Sequence, residues 1–155
     1  MGDNLNKKVD VLYDKNICLI ISDEYIDLRK DNNKLSGRYY IYLHKTNLII
    51  GTIEYRSYHF SEYVGDISYG VIEEFRGHNY ALRALNLLSE HLFKNGVSDF
   101  WITAHKSNIA SIGTVLKYGD NGTILERKEQ DNLIFFDCKT KLRLEEDYSI
   151  NHQKH

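Results

Sequence analysis

The stretch Val71-Ile72-Glu73-Glu74-Phe75-Arg76-Gly77-His78-Asn79-Tyr80-Ala81 decides the reading of this chain, because the hydrophobic period changes across it. Before it, apolar residues run on or alternate, as strands require. After it they fall at 81, 82, 85, 88, 92 and 93, the three-and-four spacing of a helical stripe. A strand therefore feeds a short loop that opens the longest helix, Asn79 to Asn95, with Gly96 where a helix end takes a residue at positive φ. The first turn of a helix leaves N–H groups unpaired, and the macrodipole makes that end positive, so such a junction suits an anion. Arg76 adds a charge fitted to bidentate phosphate contact, and Gly77 lets backbone approach closely. A pyrophosphate cradle and an ordinary solvated loop both satisfy these residues, and Glu73 and Glu74 set negative charge beside either.

Toward the N-terminus, Ile17–Ser22 reads as a buried strand, Asp23–Asn32 as a short helix or loop, and Arg38–His44 as a strand rich in aromatic and β-branched residues. Thr46-Asn47 offers a tight turn into the strand Leu48–Tyr58, where Gly51 marks a bulge, and Glu62–Ile72 is a further strand. Toward the C-terminus, Ser98–Ala104 is a strand, and Ser107 or Asn108 caps a helix that runs to Tyr118 and stops at Gly119. Thr123–Glu126 and Leu133–Lys139 close as a pair around the polar turn Arg127–Asn132. The sum is one α/β domain over residues 1–155, of α+β character, with antiparallel strands first and helix-connected strands later. Its folded core is expected over about 9–144, with frayed polar ends.

Composition narrows the function. Lys plus Arg number 20 against 22 Asp plus Glu, a net charge of −2, which argues against nucleic acid as a partner. Apolar residues at 42% and charged residues at 27% exclude wholesale disorder. The 2 cysteines, Cys18 and Cys138, lie in separate strand-like runs without a CxxC pair or Cys/His cluster, so they read as reduced, buried hydrophobes and no metal site is expected. The longest apolar run, Ile17–Ile21, is far short of the roughly 20 residues that span a bilayer, and no signal-peptide layout opens the chain. No membrane partner and a cytoplasmic location follow as expectations. With no Pro, turns fall to Gly, Asn and Asp, and the 12 Tyr crowd the early strands. Tyr40 and Tyr42 share one strand face and Tyr39 takes the other, so these rings either line a groove for a cationic amine or pack the sheet and a partner surface such as a homodimer's.

The run FRGHNYALRAL resembles the acyl-coenzyme A signature of the GNAT N-acetyltransferase superfamily. That signature is an Arg or Gln, two variable positions, a Gly, one variable position, then Gly or Ala. Arg76 and Ala81 fill its outer positions, Gly77 and Tyr80 are also usual there, and Asn79 stands at the middle glycine. A second segment, Asn108-Ile109-Ala110-Ser111 through Leu116-Lys117-Tyr118-Gly119, is similar to the family's later helix, with Asp120 in place of its closing aromatic. The nearest branch in likeness is that of the ribosomal-protein alanine and spermidine acetyltransferases.

The resemblance implies a mixed, mostly antiparallel central sheet, splayed at the cofactor site and flanked by helices. It implies acetyl-CoA as acetyl donor, held by Val71 and Ile72 of the strand, by the amides of Arg76, Gly77, His78, Asn79, Tyr80 and Ala81, and by Asn108 and Ser111 of the second helix. Asn108 serves equally as a helix cap and Ser111 as a packing residue. The implied reaction is direct attack of a primary amine on the thioester: a peptide N-terminus, a polyamine or a small-molecule amine. Asp66 falls where many relatives carry Glu, and Glu54 on the preceding strand is the other candidate base. The position where many members carry a proton-donating Tyr is Val115, with Tyr118 and Tyr69 as alternatives. A catalytically degenerate domain that binds acyl-CoA or a protein without turnover is the rival expectation.

Overall fold

Short strands of alternating burial turn the first half of the chain into a meander, seen in a computed structural model that describes residues 11–22, 35–56 and 65–143. Among these, β1 (Val11–Tyr13), β2 (Ile17–Ile21), β3 (Gly37–Leu43), β4 (Ile49–Tyr55) and β5 (Ile67–Val71) pair antiparallel in sequence order. Ile17, Leu19, Tyr39, Ile41, Ile53, Tyr55 and Ile67 share the inward face and are buried. Cys18, Tyr40, Tyr42 and Glu54, one position out of phase, lie on the other face and are half-buried. Cys18 is thus less enclosed than expected, whereas Cys138 is fully buried, and both thiols are free. The segments 1–10, 23–34, 57–64 and 144–155, with the expected Asp23–Asn32 element and the ends expected to fray, lie outside the described residues.

A 3-10 turn, Glu73–Phe75, leads from β5 to α1 (Tyr80–Lys94), whose Ala84, Leu85, Leu88 and Leu92 close the core over the inward face. The chain then runs through β6 (Asp99–His105), α2 (Ile109–Tyr118), a 3-10 turn at Gly119–Asn121, β7 (Ile124–Gln130) and β8 (Leu133–Lys139). The last three strands form a second antiparallel sheet in the order β6-β8-β7. Among the described residues both α-helices and most strands lie where the residue pattern puts them. Gly51 sits at a bulge: Ile41 pairs Gly51 and Tyr42 pairs Ile49, leaving Ile50 extra.

Two differences have physical causes. β1 is three residues long, too short for alternation to show. The segment expected as a polar turn, Arg127–Asn132, is mostly strand, and only Asp131 and Asn132 turn, with Asp131 at φ 55°. β7 is an edge strand with a single neighbour, and charged side chains on both faces are how such edges resist pairing with another chain. Among the described residues no helix is long and apolar enough to cross a membrane.

The two sheets meet at one point. The Asp66 N–H donates to the Trp101 carbonyl at 2.8 Å, and the Trp101 N–H donates to the Asp66 carboxylate at 2.9 Å. Gly65 makes this approach achievable, since a Cβ there would stand 2.6 Å from the Trp101 carbonyl oxygen and 2.8 Å from the Thr103 nitrogen. From this junction β5 and β6 run in the same direction toward α1 and α2, and their facing edges are not paired as strands. The result is a wedge, closed at Asp66 and Trp101 and open where the two helices begin.

Candidate active site

The mouth of the wedge is built by two helix starts. On one side Gly77 and Asn79 hold φ 89° and 61°, conformations that glycine and asparagine tolerate, and they swing the backbone into α1 with its first amides exposed. No carboxylate stands in the first turn of α1, and Asn79 does not cap it with its side chain. The helix end is therefore left electropositive with open N–H groups. Arg76 is exposed and anchored by its Nε, which donates to the Val71 carbonyl at 2.9 Å. That contact holds the guanidinium at the end of β5.

On the other side Asn108 caps α2, its Oδ1 accepting from the Ser111 N–H at 3.1 Å. Between the two helices lies a cleft of about 340 Å³ lined by Val71, Phe75, Arg76, Gly77, Asn79, Tyr80, Ala81, Ile109, Ala110, Gly113, Thr114 and Lys117. The structure thus brings together six of the residues expected at the cofactor site: Val71, Arg76, Gly77, Asn79, Tyr80 and Ala81. Ile72 and His78 stand beside the cleft. The Ile72 N–H is spent on the Ile50 carbonyl, and the His78 ring lies 5.5 Å from that of Tyr80.

Asn108, which is exposed, and Ser111, which is half-buried, are not among the residues that line the cleft. Ser111 meets Tyr69 of β5: the Tyr69 hydroxyl donates to the Ser111 carbonyl at 3.2 Å and accepts from its Oγ at 3.3 Å. Burial raises the Tyr69 phenol to about 12, against a smaller opposite pull from the Ser111 hydrogen bond, so it stays protonated at neutral pH. Val115 is fully buried in the core and presents no group to the wedge. Tyr118 is equally buried, its hydroxyl 2.5 Å from Ser89 Oγ and 2.6 Å from the Lys139 carbonyl that it bonds. Of the two tyrosines considered as acid, only Tyr69 adjoins the wedge.

The two expected bases are both engaged. Asp66 holds the Trp101 amide at the closed end of the wedge. Glu54 receives Arg38 on Oε1 and Arg56 on Oε2, the latter at 2.6 Å, and Arg56 is itself buried against the Gly65 carbonyl and Ser68 Oγ. A covalent thiol route has no support: burial pushes the Cys138 thiol up to about 12, so no thiolate forms there. Lys117, quoted in the segment similar to the family's later helix but given no role there, is gathered into the cleft from the last turn of α2.

A cosubstrate with a pyrophosphate and an amide-bearing arm fits this arrangement. The facing edges of β5 and β6 are open to backbone pairing, and the helix end with Arg76 is open to anions. The comparisons agree. The profile of the "Acetyltransferase (GNAT) domain" matches residues 14–120. No curated protein sequence matches. Among solved structures, the apo RimL ribosomal L7/L12 α-N-protein acetyltransferase is similar at 15% identity and a TM-score of 0.66, covering 86% of this chain and 100% of its own. A RimL complex with coenzyme A, disulfide-linked to that protein's own cysteine, gives 14% identity and 0.66, over 84% of this chain and 98% of that one. A GNAT-family acetyltransferase from Bacillus anthracis gives 14% and 0.63, over 84% and 99%. At such identities these likenesses speak for the fold, and the family profile speaks for the lineage. With the signature residues gathered at the wedge and the profile covering residues 14–120, the chain belongs to the GNAT acetyltransferase family.

Proposed function

We propose that this protein is an N-acetyltransferase that moves an acetyl group from acetyl-CoA to a primary amine. The observation that carries the reading is the wedge itself: two open strand edges leading to an electropositive helix end with Arg76 beside it. Acetyl-CoA supplies the activated acetyl group as a thioester. The backbone of Val71 and the amides of Gly77 to Ala81 hold the arm and the pyrophosphate. Asn108 and Ser111 shape the α2 wall. The amine nitrogen bonds to the thioester carbonyl carbon, the C–S bond breaks, and the proton that nitrogen loses balances the one sulfur gains. Tyr69 is protonated, and its one hydroxyl proton, held on the Ser111 carbonyl in the free protein, turns toward the departing sulfur. Asp66 is the first candidate to take the amine proton, through water, and Glu54 the second.

The acceptor approaches from the face opposite α1, where Tyr40, Tyr42, Glu54 and Ser68 lie. Peptide N-termini, polyamines and small amines all fit, because the fold leaves the acceptor open. The test follows thiol release from acetyl-CoA with a pool of peptides, polyamines and small amines. Release that depends on the amine is expected, slowed about 10-fold or more in Tyr69→Phe, the scale of a lost general acid–base contribution. Binding without release for any amine overturns the enzyme reading in favour of a degenerate acyl-CoA binder, which the burial of Val115 favours.

A further inference from the structure

We propose that Gly70 is a specificity-determining residue, the open floor over which the acceptor lies, and that it selects an amine carried on a branched carbon, as at a peptide N-terminus. The proposal rests on the transferase reading above and narrows its acceptor. The observation behind it is a glycine that the fold does not need.

Glycine weakens a strand, because it has no side chain to pack, so one inside a strand calls for a reason. Other glycines around the site have theirs. Gly77 holds φ 89°, and a Cβ on Gly51 or Gly65 would stand 2.2 Å or 2.6 Å from a backbone oxygen. Gly70 has no such cause. Its φ is not positive, β4 and β5 pair through it without a register shift, and a Cβ there would meet no atom within 4 Å. Gly113 of α2 has the same open space, and it lines the cleft where the cosubstrate is placed. The open space at Gly70 likewise suits a ligand that approaches the backbone closely.

The face tells which ligand. Gly70 is exposed on β5, in phase with Ser68 and out of phase with Ile67, Tyr69 and Val71. It therefore opens away from the core and α1, beside its partner Thr52 of β4, with Tyr40 of β3 beyond. Along β5 it lies between Asp66, where the wedge closes, and Val71, where Arg76 is anchored. A cosubstrate arm that enters from the α1 start passes Val71 first, so its thioester end comes to lie beside residues 67–70. An amine that attacks from the outer face has to cross Gly70.

The floor around Gly70 offers hydroxyls, from Ser68 and Thr52, while the Glu54 carboxylate on the same face is taken by Arg38 and Arg56. A polyamine carries its reacting nitrogen on an unbranched CH2 and seeks carboxylates for its other charges. A peptide N-terminus carries it on a carbon that also bears a side chain and a carbonyl. The missing side chain at Gly70 makes room for that extra substituent, and the hydroxyls suit the N–H and C=O groups of a peptide.

The test compares wild type, Gly70→Ala and Gly70→Val by thiol release from acetyl-CoA. The acceptors are tripeptides that differ only in a first Gly, Ala or Val, together with putrescine, and Tm and Kd for coenzyme A are measured alongside. Wild type is expected to turn over the Ala- and Val-headed peptides at least as fast as the Gly-headed one. Gly70→Val is expected to lower kcat/KM for the Val-headed peptide about 10- to 200-fold relative to the Gly-headed one, the range that methylene-sized differences in fit command, and Gly70→Ala to lower it less. Neither variant should lower Tm or raise Kd for coenzyme A, since a strand accepts a β-branched residue well. Equal losses across the acceptors, as a damaged fold or cosubstrate site would give, or no loss at all, overturn the proposal and leave the transferase reading standing. A wild type that prefers putrescine or the Gly-headed peptide does the same. No thiol release by wild type with any amine overturns the transferase reading itself, and the proposal with it.

Discussion

Asp137 is a carboxyl in an unfavourable place. It lies on β8 opposite Trp101 of β6, and its Oδ1 has no hydrogen-bond partner among the described residues. Burial is the first cause that raises it from an ordinary 3.8 to about 6. The hydrogen bond and charge of Asp99 follow, then the charges of Glu126 and Asp66. A carboxyl whose folded-state value is raised stabilises the fold in its protonated form, fully at pH below about 3.8, and that contribution is lost as pH rises through about 6. Asp137→Asn, which mimics the protonated form, is therefore expected to raise Tm at pH 8 by about 2–4 °C, the shift that ~1 kcal/mol makes in a domain this size. The gain should shrink toward zero near pH 4. Thermal melts of both proteins across that range check it, and a difference independent of pH would contradict the assignment.

At the scale of elements, the wedge depends on how closely β5 begins beside β6. Gly65 is the point of closest approach, and the atoms a Cβ would meet are all backbone: the Trp101 oxygen, the Thr103 nitrogen and Ile102 Cα at 3.0 Å. Gly65→Ala should force these strands apart, lowering stability by about 1–3 kcal/mol, as overpacking does. It should also weaken acetyl-CoA binding, because the Asp66–Trp101 junction sets the angle of the wedge. Unchanged Tm and unchanged affinity would show that the junction has slack.

Much of this level was legible in the residues. The period change after Ile72, the Gly96 and Gly119 stops and the Asn108 cap each reflect a local preference that tertiary packing does not oppose. What was not legible depends on neighbours. β7 carries charges because it is an edge, and sequence alone does not say which strand is outermost. Asp66 and Glu54 read as candidate bases from position, whereas their partners Trp101 and Arg38 come from other strands and Arg56 sits two residues past Glu54 on the same stretch. The segment similar to the family's later helix contains Lys117, but its contact with Asn79 exists only once α2 is set against the α1 start.

For the molecule as a whole, the division of labour follows the two sheets. The five-stranded sheet and α1 form a single core of buried side chains, continuous with Phe100, Ile102, Ile134 and Phe136 of the second sheet. The core behind the wedge is thus shared, while the strand pairing in front of it is interrupted. A second cavity, about 610 Å³, lies away from the wedge between β1 and α1, lined in part by Tyr13, His44, Glu90, His91 and Arg143. Its polar lining is already ion-paired at Glu90, with Arg143 Nε at 3.0 Å, and although β1 is an edge strand, the α1 residues that meet it, Leu87 to Lys94, come from the later turns of that helix and not from its start. The central claim of the proposed function is one of location: acyl-CoA would bind between β5 and β6 and not in the β1–α1 cavity. The most direct measurement is an amide chemical-shift map of the protein titrated with coenzyme A. The account predicts the largest shifts at Val71, at Gly77 to Ala81 and at the start of α2, with Tyr13 and His91 unmoved. Shifts centred on the β1–α1 cavity, or none at millimolar ligand, would contradict it.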